Sequence, residues 1–77
     1  MSTYLHPDLD LLVAKLQAQG FAEVPQIADD FTRVFKRPSV GTFIVIDLPE
    51  EEVYEAIDVH FSPAPPTSLL VELGFPL

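Results

Sequence analysis

Cysteine is absent from the chain, and from Pro38 to Leu77 so are lysine and arginine. The first absence removes disulfides, thiolate metal sites and cysteine nucleophiles together, so a fold of this size must stand on packing alone. The second leaves every formal charge of that half negative: Asp47, Glu50, Glu51, Glu52, Glu55, Asp58 and Glu72. Met1 to Arg37 is nearly balanced by comparison, with Asp8, Asp10, Glu23, Asp29 and Asp30 against Lys15, Arg33, Lys36 and Arg37. Nearly all of the net charge of -8 is therefore localised, an asymmetry that bears on partners rather than on fold.

Other absences narrow the function classes. Gly20, Gly41 and Gly74 stand alone, which excludes a glycine-rich phosphate loop, and Ser39, Ser62 and Ser68 have no nucleophile-elbow context. The longest apolar runs, Leu11–Ala14 and Phe43–Ile46, are too short to span a bilayer, and Met1–His6 has no positive charge leading into an apolar core. A cytoplasmic protein is the expectation. With a sequence pI near 4.3, phosphate backbones and anionic lipid repel the chain, so neither direct nucleic-acid binding nor membrane association is expected.

What is present describes one small α+β domain spanning residues 1–77. A chain of 77 residues buries only about 60% of the surface its unfolded form exposes. Hydrophobic residues reach 48% and mean hydropathy is +0.27, more apolar character than so small a core readily hides. A second copy of the chain or a permanent partner is expected to cover the remainder.

The pattern predicts a helix from about Pro7 to Gln19: Pro7 suits a first turn, Asp8 and Asp10 complement the helix dipole, Leu9, Leu12, Val13 and Leu16 form one apolar face, and Gly20 stops it. Residues 25–36 fit two descriptions. Ile27, Phe31, Val34 and Phe35 have helical spacing, whereas Phe31–Phe35 is rich in strand formers and Ala28–Asp30 suits a hairpin turn joining Phe21–Ile27 to Phe31–Arg37. Context favours the hairpin, because Pro38–Gly41 reads as a second tight turn into the clearest strand, Thr42–Leu48. Residues 49–61 are again double: alternation places Val53, Ile57, Val59 and Phe61 on one strand face and Tyr54, Asp58 and His60 on the other, while a helix starting at Pro49 is the rival. Pro63–Pro66 is extended, and Ser68–Leu77 closes the chain. If the tail is helical, Ser68 caps it, Gly74 takes the left-handed position and Phe75 folds back on Leu70. The expected architecture is one N-terminal helix on a three- to four-stranded antiparallel meander with a short C-terminal element.

No polar constellation converges as an active site does. Asp58 and His60, two apart on one strand face, lack a third placed ligand, so they read as a surface pair, and His6 beside Asp8 and Asp10 reads as helix N-terminal electrostatics. Glu55 shares the apolar face of its strand, where a cross-strand pair with Arg33 or Arg37 accounts for it. The expectation is a non-enzymatic module, without metal or cofactor, that docks a basic surface of another protein and inhibits or binds it, in its sharpest form by mimicking nucleic acid. Asp47, Glu50, Glu51, Glu52, Asp58 and Glu72 supply the charge and Tyr54 and Phe75 the apolar contact. The alternative is a structural subunit or homodimer whose charge serves only solubility.

Overall fold

The computed structural model describes residues 2–27 and 29–76. Its five strands are β1 (Ser2–His6), β2 (Ala22–Glu23), β3 (Thr32–Arg37), β4 (Thr42–Asp47) and β5 (Ile57–Ser62), and its helices are α1 (Leu9–Ala18) and α2 (Thr67–Glu72). All pairings are antiparallel and the spatial order is β1-β5-β4-β3-β2. Strands β2 to β5 form the expected meander. The additional strand is β1, which lies along β5 with Ser2 opposite Phe61 and His6 opposite Ile57. Since β1 and β2 are the two edges, α1 carries the chain across the whole sheet.

The expected N-terminal helix is α1, beginning at Leu9 because Asp8 takes the cap and accepts from the Leu11 N–H at 3.1 Å. Leu12 and Leu16, one turn apart, are fully buried against the sheet. Gly20, with φ of 85°, ends the helix, and Phe21 N–H bonds back to the Leu16 carbonyl at 3.0 Å. The tail repeats this ending: Gly74 adopts φ of 80° and Phe75 N–H bonds to the Leu70 carbonyl at 3.0 Å, as its sequence predicts. The expected Ser68 cap is not used; Pro66 occupies that position without a side-chain hydrogen bond.

Both helices lie on one face of the sheet. Ile44 and Ile46 of β4, Ile57, Val59 and Phe61 of β5 and Phe35 of β3 point into that layer, where they meet Leu12, Leu16, Leu69, Leu70, Leu73 and Phe75. Each of the fully buried Phe35 and Phe61 contributes about 1.5–3 kcal/mol relative to exposure. His6 completes the layer as a polar joint. Its Nδ1 accepts from the Asp8 N–H at 3.1 Å and its Nε2 donates to the Leu73 carbonyl at 2.9 Å, while its ring stands edge-on to Phe75. Both partners are backbone groups of fixed sense, so the ring is the neutral Nε2–H tautomer and ties β1 and the start of α1 to the end of α2.

Three expectations are refined. The antiparallel β2–β3 pair bears out the hairpin rather than the helix, but its first arm is short: Ala22 and Glu23 pair with β3, and Pro25 then starts a 3-10 turn, Pro25–Ile27. Residues 49–61 are not a helix, and their strand begins at Ile57; Val53, assigned to the buried face, is 86% exposed in the loop before it. Glu55 is likewise an exposed loop residue, and among the described residues it pairs with neither of the arginines assigned to it: Arg33 pairs with Glu23, and Arg37 forms no ion pair.

Candidate protein-docking face

The sheet has a second face, turned away from both helices. Strand alternation and register arrange it in rows: Leu5, Asp58, Asp47 and Thr32 across β1, β5, β4 and β3, then Thr3, His60, Val45 and Val34, then Ser62, Phe43 and Lys36 with Ala22 of β2. The 3-10 turn Pro25–Ile27 packs at the β3 side, where Val34 is buried apart from the main core. Toward β1 the face is polar and open, and Leu5 on its border is 57% exposed.

Asp47 and Asp58 sit directly opposite one another in the β4–β5 ladder. Like charges in that relation are destabilising, by roughly 0.2–1 kcal/mol. Among the described residues neither carboxylate is within ion-pair distance of a lysine or arginine; the pairs formed are Arg33 with Glu23 and His60 with Asp47. His60 bridges three strands, its Nε2 donating to Asp47 Oδ2 at 2.7 Å and its Nδ1 sharing a hydrogen with Thr3 Oγ1 at 2.8 Å. A hydroxyl, an imidazole and a carboxylate in that order have the connectivity of a nucleophile, a base and its orienter. Here Thr3 is exposed on an edge strand of an open face, and His60 bonds the Asp47 carboxylate on the neighbouring strand. The Asp47 side chain stays 49% exposed beside the exposed Asp58, so the pair presents negative charge to solvent.

The loop from Leu48 to Ala56 leaves β4 directly after Asp47 and returns to β5 directly before Ile57. Its Glu50, Glu51, Glu52 and Glu55 are all exposed, and Tyr54 anchors it to the helical layer: the hydroxyl accepts from the Leu9 N–H at 3.2 Å and the ring packs on the core. Of the eight residues named from sequence, Asp47 and Asp58 thus share one face, and Glu50–Glu52 are exposed in the loop that joins their strands. Tyr54 is half-buried and ties the loop to the start of α1. Glu72 lies on α2, away from this face, and accepts from Gln19 Nε2 at 3.4 Å. Phe75 is a correction: its turn back toward Leu70 buries it among Tyr4, His6 and Phe61, leaving 6% exposed. His60 was paired by spacing with Asp58, whereas its ring bonds Asp47 and Thr3; the β4–β5 and β1–β5 registers together reveal that.

Three charged groups are displaced from their ordinary values. A hydrogen bond from Arg33 lowers the Glu23 carboxyl, burial opposing in part, and the same bond raises Arg33. The Phe31 N–H, then the Thr32 hydroxyl, lower Asp29. Among the described residues no group of three or more histidine, cysteine or acidic side chains is spaced to hold a metal ion, and no helix is long and apolar enough to cross a membrane. Comparison with protein-family models, with curated proteins and with solved structures finds no match.

Proposed function

We propose that this chain is a cytoplasmic, non-enzymatic binding module that docks a basic surface of another protein against its open sheet face, occupying or inhibiting that surface. The observation that carries the reading is the directly opposed pair Asp47 and Asp58, a like-charge contact that costs the free protein stability and that an incoming lysine or arginine would relieve. Glu50, Glu51 and Glu52 extend the negative field beside it, and Leu5 supplies an apolar border. Two carboxylates and an acidic loop on a flat face suit a phosphate-binding groove, so nucleic-acid mimicry is the sharpest version.

Paired baits test the reading. Wild type and the double variant Asp47→Asn/Asp58→Asn are immobilised and exposed to the same native cell extract, and retained proteins are identified by mass. A basic protein held by wild type, released by added salt and bound about tenfold more weakly by the double variant is the expected outcome. Equal retention by both baits contradicts it and leaves charge as a solubility device on a structural or self-associating subunit.

A further inference from the structure

An open surface groove of about 470 Å³ lies on the helical side, away from the acidic face, between Gln19, Arg37, Pro66, Ser68, Leu69 and Glu72. Its volume is in the range of small-ligand sites. Arg37 contributes an incompletely bonded guanidinium. Nη1 donates to the Gln19 carbonyl at 3.1 Å and the guanidinium carbon lies 4.8 Å from the Phe21 ring centroid, yet Nε is buried with no hydrogen-bond partner. A buried donor left without a partner destabilises the fold that holds it.

The same strand face shows what this edge binds when filled. Arg33, two side-chain repeats back along β3, places Nε and Nη2 on the two oxygens of Glu23 at 2.9 and 2.6 Å. Arg37 carries the equivalent fork and, among the described residues, forms no ion pair. Glu72 lines the same groove but does not close onto the guanidinium; its Oε2 is held by Gln19 Nε2. Gln19 touches both groups, its backbone carbonyl accepting from Arg37 and its side-chain amide donating to Glu72.

The geometry points to a binding site for a small zwitterion of the α-amino-acid type, its carboxylate on Arg37 and its ammonium on Glu72. An anion alone would meet the Glu72 charge and a cation alone the Arg37 charge; a ligand carrying both satisfies each. Because Nε is shielded from solvent, bidentate binding requires the guanidinium to turn over the Phe21 ring and present its Nε–Nη2 edge to the carboxylate. Ser68 supplies a hydroxyl, and Pro66 and Leu69 the apolar wall.

The test is amide-shift NMR on the ¹⁵N-labelled full chain, titrated separately with each proteinogenic L-amino acid, with acetate and with methylammonium. At least one amino acid is expected to give saturable shifts centred on Gln19, Arg37, Ser68 and Glu72, with acetate and methylammonium at least about tenfold weaker. Glu72→Gln, at an exposed position that leaves the fold intact, should weaken that amino acid about tenfold, and Arg37→Gln should abolish its shifts. No saturable shift with any amino acid, acetate binding as well as the amino acid, or an unchanged affinity in Glu72→Gln each overturns the assignment. None of these readouts involves Asp47 or Asp58, so the site stands or falls independently of the acidic face.

Discussion

Asp58 faces Asp47 across the β4–β5 ladder while Leu5 flanks it on β1, so its carboxylate has a like charge on one side and an apolar neighbour on the other. Replacing it with asparagine removes the repulsion and keeps the shape. Asp58→Asn should raise stability by about 0.5 kcal/mol, seen as a higher urea midpoint with an unchanged slope, and should weaken partner binding. Loss of stability would mean that the pair is compensated in the free protein. Glu23 gives a pH signature of opposite character. Because Arg33 lowers its carboxyl in the fold, the stabilisation is complete above the ordinary carboxylate range, about pH 4.3, and disappears as pH falls through the lowered native value. Asp29 acts in the same direction. The Glu23 and Arg33 side chains remain 32% and 31% exposed, so solvent screening keeps the Glu23 share under about 1 kcal/mol. Urea midpoints at pH 7 and pH 3 should therefore differ less for Glu23→Gln than for wild type.

At the scale of elements, what the sequence revealed is what is locally encoded. The Leu12/Leu16 spacing with Asp8 and Gly20 specifies α1, and alternation over Thr42–Asp47 specifies β4. The Gly74–Phe75 ending of α2 was legible too, because a left-handed glycine and an apolar contact one turn back are local signals. What stayed hidden depends on distant partners. Ser2–His6 contains Ser2, Thr3 and His6 and has no strong alternation; it becomes a strand by pairing with Ile57–Phe61 at the far end of the chain. Val53 fitted a period-two pattern by coincidence, since the loop is fixed by Tyr54 and its glutamates stay in water. Asp47 and Asp58 could be nominated individually as surface carboxylates. That they face each other follows from a register set by the returning loop, and no spacing rule states it. The ending of α2 also gives a direct test. At Gly74 an added Cβ would sit 3.4 Å from Lys15 Cδ and Cε, an ordinary contact, so the penalty of Gly74→Ala is the backbone's at φ of 80°. A cost of about 1–2 kcal/mol, or roughly 5–10 °C in Tm, is expected. Gly41→Ala, at φ of 67° with open space around it, should lose a similar amount if conformation rather than crowding dominates.

For the whole molecule, the charge asymmetry coincides with a structural one. The half without lysine or arginine builds β4, β5, their acidic loop and α2, so negative charge gathers at the centre of the sheet and at one end of it. Large exposed apolar residues are spread out instead: Leu11 on α1, Val71 on α2, Leu5 on β1, Ile27 and Phe31 around the β2–β3 connection and Val53 in the acidic loop. Organised charge and dispersed apolar contact favour steering and selection of a partner over a broad hydrophobic interface. The most direct measurement is the association rate of the captured basic partner with wild type and with Glu50→Lys/Glu51→Lys/Glu52→Lys as ionic strength is varied. All three positions are exposed loop residues, so the variant should keep the wild-type fold by circular dichroism. The account predicts a steep fall in rate for the variant at low salt, with the difference from wild type shrinking beyond about 0.15 M, where the screening length is roughly 8 Å. Equal rates at low salt would contradict it.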